Sequence, residues 1–373
     1  MNVKRVIKEK SVEAWRFFSV YSGFSRRNKI IYNSTYFEKS SLTKDEKKEY
    51  YEYWKSVSPI ISLKTVEITK SISGIFDKKI VPEEFLPLYI APTLNSDRRI
   101  QFFENKSIYN KWFGLGVFPK DFFHKLDNSY YTYEFKVIED IEKFIDNKIT
   151  EIDFPIVIKP NKDTHGGQDI NFVNNKDEMK EVIKNYSDLV VQEKIEQSNL
   201  INVFSKESIN TVRVCLYKDN NDVMHVINAT IRMGVNGSLD NLTAGGIACN
   251  INPNGILNDY ANSQYGKKYL EHPNSGFVFK NEQFPMYKDL IEVSKEVARD
   301  ILGARLISID MLLDSNNKWR CIEVNLGSQT MFLSQYAGQP FLGEHTDEVI
   351  KNIHESQYNS IESTIEYMSK SDI

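Results

Sequence analysis

Residues 308–327, SIDMLLDSNNKWRCIEVNLG, put two apolar runs on either side of a polar turn, the pattern of a β-hairpin. Side chains alternate between the faces of a strand. Ile307, Ile309, Met311 and Leu313 are therefore expected on one face, with Ile322 and Val324 completing it across the turn. Asp310, Glu323 and Asn325 fall on the other. A turn centred on residues 315–318 sets Asp310 opposite Glu323, and like charges directly opposite destabilise a sheet. A bound cation would remove the conflict. Two carboxylates and an amide carbonyl suit a hard ion such as Mg²⁺, which keeps waters and takes phosphate oxygens as its remaining ligands. The competing account is a solvated face with unrelated acidic residues. Asn325 and the following Gly-Ser-Gln-Thr weigh against that account, because such a strand end delivers polar groups to a loop.

The elements that must position this hairpin come from a chain of 373 residues, long enough for two or three lobes. It is 41% hydrophobic and 26% charged, ordinary for a soluble globular protein. A net charge of −4 leaves no basic footprint, so nucleic acid is not an expected partner. Cys215, Cys249 and Cys321 lie far apart without metal-ligand spacing and read as packing residues in a reducing cytoplasm. No apolar run reaches transmembrane length, and no signal peptide is recognisable. The first residues, MNVKRVIKEKSVEAWRFFSVY, form a basic amphipathic helix candidate. It could lie on the inner face of a membrane or pack against the body of the protein.

Residues 1–100 read as a helical region, with an N-cap signal at Thr43. Beyond about residue 135 strands and helices mix, and 341–373 reads as closing helices. FPIVIKP, INFV and LVVQEKI are strand candidates, followed by two long strands in NTVRVCLYKD and DVMHVINATIRMG. MYKDLIEVSKEVARDIL is a helix leading into the hairpin. The order predicts an α+β protein with mainly antiparallel sheets.

Polar residues gather at the ends of these strands. Lys159 ends FPIVIKP, and DTHGG, with Thr164, His165, Gly166 and Gly167, makes the next turn. Such a loop lets backbone amides approach a phosphate while the lysine adds a point charge. An ordinary hairpin explains the same residues, and His165 reads as a loop residue. LVVQEKIEQ turns polar at Gln192 and Glu193, and could offer backbone hydrogen bonds to an adenine with Glu196 near the ribose. Arg213 and Arg232 interrupt apolar strands, which is costly unless they are paired. Their partners could be Asp310 and Glu323, or they could clamp phosphoryl oxygens or a substrate carboxylate.

Taken in order, these features resemble the ATP-grasp superfamily over roughly residues 100–340. Lys106 in a short helix, Lys159, the Gly-containing loop, QEKI, the two arginines and D…ExN follow one another as in that superfamily. SINTVRV, TAGGIA, HPNSGFVF followed by FPMY, and SIDMLL…IEVN are similar to its sugar-transfer-associated branch, which also has a helical amino-terminal region. The resemblance implies two α+β lobes clamping MgATP, a nucleotide-binding lobe over 101–200 and a metal and catalytic lobe over 201–340. Lys106 and Lys159 would contact its phosphates, the 163–168 loop would close over them, and Gln192, Glu193, Lys194 and Ile195 would bracket the adenine. Glu196 would reach the ribose, and Asp310, Glu323 and Asn325 would hold one or two Mg²⁺. Asn241 would sit beside the acceptor, with His272 a further candidate there. Ser308 departs from the pattern, since D-alanine ligases carry an arginine two residues before the metal-binding Asp. Arg213 or Arg232 would then supply the missing charge. The implied chemistry joins a carboxylate, a sugar acid or its conjugate in surface-polysaccharide synthesis, to an amine through an acyl phosphate. A phosphotransferase and a nucleotide-binding module without turnover are the alternatives.

Overall fold

The computed structural model describes residues 3–148, 152–162, 169–327 and 329–356. Two antiparallel sheets organise it. The first has six strands: β1 (Asp121–Leu126), β2 (Ser129–Thr132), β3 (Val137–Ile138), β4 (Ile156–Pro160), β5 (Asn171–Val173) and β6 (Leu189–Glu193), in the order β3-β2-β1-β6-β4-β5. The helices Ile141–Lys148 and Lys176–Val182 cover it, burying Ile145 and Met179 against Phe123, Ile156, Ile158 and Val191. Asn175 starts the second of these helices by accepting from the Glu178 amide.

The second sheet has seven strands: β7 (Thr211–Lys218), β8 (Met224–Met233), β9 (Ile247–Ile251), β10 (Ala261–Ser263), β11 (Lys268–Tyr269), β12 (Leu306–Leu313) and β13 (Trp319–Asn325). Their order is β11-β10-β9-β8-β7-β12-β13, and every pairing in both sheets is antiparallel. The helix Tyr287–Arg299 buries Leu290, Val297 and Ala298, spaced for one helical face, against Val212, Val214, Ile309 and Met311. Residues 100–118 add Phe103, Tyr109, Phe113 and Phe118 to the same core. One face of the sheet is thereby sealed, and the other is left for polar groups.

Part of that other face is covered by the amino-terminal helices Lys44–Trp54 and Lys64–Ser73, where Tyr50, Trp54 and Phe85 pack with Cys215, Tyr217 and Leu306. The helical region therefore shares a core with the second sheet. Thr43 caps its helix as expected, accepting from the Glu46 amide at 3.1 Å while Glu46 accepts from the Thr43 amide at 2.7 Å. In the last turns of the helix Val3–Asn33, Asn28 and Ile31 are buried, and Arg27 pairs with Glu83 and lies over the Phe332 ring. Trp15 and Phe18 are exposed. Among the described residues no helix is long and apolar enough to cross a membrane. Of the carboxy-terminal helices, residues 357–373 lie outside the described residues.

The opening hairpin forms with its turn where expected. The Asp314 carboxylate accepts from the Asn316 and Lys318 amides at 3.0 and 2.9 Å, and Asp310 pairs directly with Glu323. One expectation fails. A bulge between Asp310 and Met311 pairs Met311 with Cys321 and leaves Ile322 as the extra residue. Cys321 and Trp319 take the core positions expected of Ile322, which is only half-buried.

Candidate active site

The uncovered part of the second sheet carries a cross-strand row running Glu323, Asp310, Arg213, Thr230 and Asn250. Beside it runs a second row, Thr211, Arg232 and Ala248. The alternation that buries Val212, Val214, Ile309 and Met311 on one side thus aims both arginines and both carboxylates to the other.

The opposed carboxylates are stabilised separately. Arg213 grips Asp310 with Nε to Oδ1 and Nη2 to Oδ2, both 2.8 Å, and its Nη1 donates to Thr330 Oγ1 at 2.6 Å. Arg232 Nη2 reaches Asp310 Oδ2 at 3.1 Å. Burial opposes the charge on Asp310, but the two guanidinium groups outweigh it and hold the carboxyl below its ordinary value. Glu323 turns instead to Lys106, whose Nζ lies 2.9 Å from Oε1. Pairing of Asp310 with both arginines is one of the arrangements expected from the sequence; Glu323 takes neither of them.

Lys159, at the end of β4, joins this group from the first sheet, and its Nζ donates to the Ile322 carbonyl at 3.4 Å. Burial and the neighbouring Lys106 lower its pKa to about 8, only partly offset by Glu323 and Asp121. Lys106 is stitched to the strand end, its amide donating to the Asn161 carbonyl at 3.0 Å while Ser107 donates to Asn161 Oδ1. Lys106, Lys159, Arg213 and Arg232 therefore meet Asp310 and Glu323 where the sheets adjoin, with Asp240 3.5 Å from Arg232 Nη2. A compact polyanion fits such a surplus of positive charge.

Whether the acidic residues also suit Mg²⁺ can be read from their free lone pairs. Asp310 Oδ2 accepts from Arg213 and pairs with Arg232, while Oδ1 receives one hydrogen bond from the described residues and so has a lone pair to spare. The side chain of Glu323 is 26% exposed, and its salt bridge uses Oε1. The buried Asn325 Nδ2 has no hydrogen-bond partner among the described residues, and turning the near-isosteric amide would put Oδ1 there. Among the described residues no cluster of three or more His, Cys, Asp or Glu side chains could cage a metal. The set fits Mg²⁺ held by one or two carboxylates and completed by phosphate and water, the usual mode for that ion.

The strand carrying Gln192 and Glu193 lies at the junction of the lobes. Gln192 Nε2 donates to Asp121 Oδ1 at 2.7 Å, and burial pushes the Asp121 carboxyl up to about 6. Glu193 accepts from the Lys120 amide at 2.9 Å and from Arg320 Nη2 at 2.7 Å, so its carboxylate fastens the two lobes. Arg320 also donates to the Phe118 carbonyl at 2.7 Å and to Asp314 at 3.3 Å. Lys194 and Ile195 follow the last ladder pair, so the sheet leaves their backbone groups unused. Glu196 is exposed, with its carbonyl accepting from the Ser315 amide at 2.8 Å. The loop residues Thr164, His165, Gly166 and Gly167 lie outside the described residues.

Two acceptor-side candidates are engaged in local hydrogen bonds. Asn241 Oδ1 accepts from the amide and hydroxyl of Thr243, both at 3.1 Å, and caps a short turn. His272 is fully buried, with Nε2 3.0 Å from the Gly234 carbonyl and Nδ1 accepting from the Asn274 and Ser275 amides. The residue beside Asn241 is the one in the cluster: Asp240 accepts from Thr211 Oγ1 and lies 3.5 Å from Arg232 Nη2. Its only sequence signal is an acidic side chain in a Gly-rich loop. Thr330 and Arg320 were equally unmarked. Ser308 donates its hydroxyl proton to Gln329 Oε1 and accepts from the Cys215 thiol, Sγ lying 2.9 Å away, which ties the segment that bears Thr330 to the sheet.

A family model described as sugar-transfer associated ATP-grasp matches residues 89–351. Among solved structures, the chain is similar to N5-carboxyaminoimidazole synthetase from Staphylococcus aureus complexed with ADP, at 12% identity over 64% of this chain and 50% of that one, with a TM-score of 0.37. Biotin carboxylase from Campylobacter jejuni gives 13%, 68%, 46% and 0.42 in the same order. The VanG D-Ala:D-Ser ligase from Enterococcus faecalis gives 15%, 67%, 61% and 0.40. The chain spans about half the length of the first of these, and likenesses this distant decide nothing further. No curated protein matches the chain. With the family model covering most of its length and both antiparallel lobes in place, the chain belongs to the sugar-transfer associated ATP-grasp family.

Proposed function

We propose that this protein is an ATP-dependent carboxylate–amine ligase that activates a sugar acid, or a conjugate of one, as an acyl phosphate and transfers it to an amine. The observation that carries the reading is the convergence of Lys106, Lys159, Arg213 and Arg232 on Asp310 and Glu323 where the two sheets meet. Phosphoryl transfer asks for positioning and charge neutralisation more than for a protein nucleophile. The three cysteines are buried, and burial raises the thiol pKa of each, which removes them as nucleophiles.

Lys106 and Lys159 would hold the phosphates, and the backbone of Lys194 and Ile195 would meet the adenine. Asp310, Glu323 and Asn325 would hold Mg²⁺, which when bound neutralises phosphate charge and orients the transferring group. Arg232 is the better placed arginine for the developing charge. All three guanidinium nitrogens of Arg213 donate to Asp310 or Thr330, whereas Arg232 commits Nε and Nη2 and leaves Nη1 without a hydrogen bond to a described residue.

Trapping with hydroxylamine tests the reaction class. With MgATP, hydroxylamine and a panel of uronic acids and their nucleotide-linked forms, hydroxamate and ADP are expected together. A phosphorylated sugar with ADP but no hydroxamate would replace the ligase reading with the phosphotransferase one.

Lys159 gives the reading a pH signature. A lysine whose folded pKa lies below its unfolded value costs stability while protonated; that cost is full below about 8 and relieved as pH rises toward 10.5. Binding phosphate requires the protonated form. Affinity for MgATP is therefore expected to fall as pH rises through about 8, well before an ordinary lysine would titrate. Calorimetric titrations between pH 7 and 9 measure this, and Lys159→Met should weaken binding and flatten the dependence. A wild-type affinity constant across that interval would remove Lys159 from the phosphate site.

A further inference from the structure

Resting on the ligase reading, the geometry around Arg232 assigns a role to Asp240. Passing outward across the second sheet from its β13 edge, the charged groups come in the order Glu323, Asp310, Arg213 with Arg232, then Asp240. Lys106 and Lys159 meet the sheet at the Glu323 end. A group activated at Glu323 and Asp310 therefore has Asp240 on the side away from the nucleotide lysines, where a second substrate can approach.

The loop after β8 is folded to bring Asp240 there. At Gly246 a Cβ would lie 2.7 Å from the Asp240 carbonyl and 2.9 Å from that of Met233, so no larger residue lets the loop close. The Thr211 hydroxyl orients the carboxylate, accepting from Arg232 Nε and Nη2 at 3.0 and 2.6 Å while donating to Asp240 Oδ2. Oδ1 has no hydrogen bond to a described residue, and the side chain keeps 18% exposure. Neither neighbour can replace it, since Asn241 caps its turn and His272 is sealed in the core.

We propose that Asp240 is the general base that deprotonates the attacking amine. An amine arrives at neutral pH as an ammonium, which has no lone pair to attack with. Asp240 Oδ1 takes one proton and later yields it to solvent. The freed nitrogen lone pair forms the C–N bond at the acyl-phosphate carbonyl, and the C–O bond to phosphate breaks with its electron pair leaving on phosphate. The second nitrogen proton leaves with the phosphate. Burial, with Asp310 nearby, raises the Asp240 pKa against the opposing pull of Arg232, Thr211 and Arg213, which makes it a stronger proton acceptor than an ordinary aspartate.

Two nucleophiles separate this role from a structural one. Hydroxylamine is already neutral near pH 7.5, whereas ammonium is almost wholly protonated and needs a base. With the full chain, MgATP and the uronic-acid panel, Asp240→Asn is expected to keep hydroxamate formation within about threefold and to lose amide formation from ammonium chloride by about 100-fold or more. Equal loss of both products, or retention of both, would overturn the assignment while leaving the ligase reading intact. Absence of hydroxamate from the wild-type chain would overturn the ligase reading and the assignment with it. The wild-type rate with ammonium tests the same role without a substitution: it should level off once Asp240 is ionised, and a rate that tracks the free-ammonia fraction would exclude the base.

Discussion

Glu323→Gln is expected to abolish hydroxamate formation, by more than about 100-fold, with little change in the thermal transition. Replacing even a residue that only supports a metal ligand costs 10–100-fold, and Glu323 would be a ligand itself. Its neutral replacement keeps the shape of the side chain and can still accept from Lys106. The charge lost was partly exposed and paired with one lysine, so folding should tolerate its removal. The check is a turnover assay beside a calorimetric melt. Near wild-type activity would take Glu323 out of the metal role, and a large fall in melting temperature would make it a structural residue.

Asp310→Asn should behave differently. Asp310 is 3% exposed and is the shared partner of Arg213 and Arg232. An asparagine there leaves two half-buried guanidinium groups with one neutral acceptor, and breaking a buried pair in this way costs about 3–5 kcal/mol. Activity should vanish as well, but stability is the distinguishing readout, through a reduced denaturant midpoint. A variant as stable as the wild type would mean that Asp240, Thr211 and Thr330 suffice to hold the arginines. The two substitutions thus divide a pair that looks symmetrical in the hairpin: one carboxylate fastens the site, and the other is available to it.

That asymmetry marks where reading the chain stops. The alternation in SIDMLL and IEVN sets both carboxylates on one face, and the turn residues set Asp310 opposite Glu323; the structure has both. The long alternating strands of β7 and β8, the helix Tyr287–Arg299 and the Thr43 cap were equally legible, because each follows from neighbours within one or two turns of chain. Ile322 was misplaced because a bulge shifts the register by one residue, and nothing in an apolar strand announces which residue will be left over.

The partners of the charged groups were decided by contacts between distant segments. Glu323 takes Lys106 because the short helix bearing it is tied to Asn161 at the end of β4. Glu193 is used up by Arg320, from the hairpin of the other lobe. Asp240 reaches Arg232 because a glycine lets its loop fold back over β8. Burial of His272 and capping by Asn241 are likewise outcomes of packing and turn closure. Side-chain periodicity is local, so the antiparallel strands and the faces on which the chemistry must lie are legible in the chain. Which charge answers which depends on long-range packing, because an ion pair forms wherever the core brings two ends together.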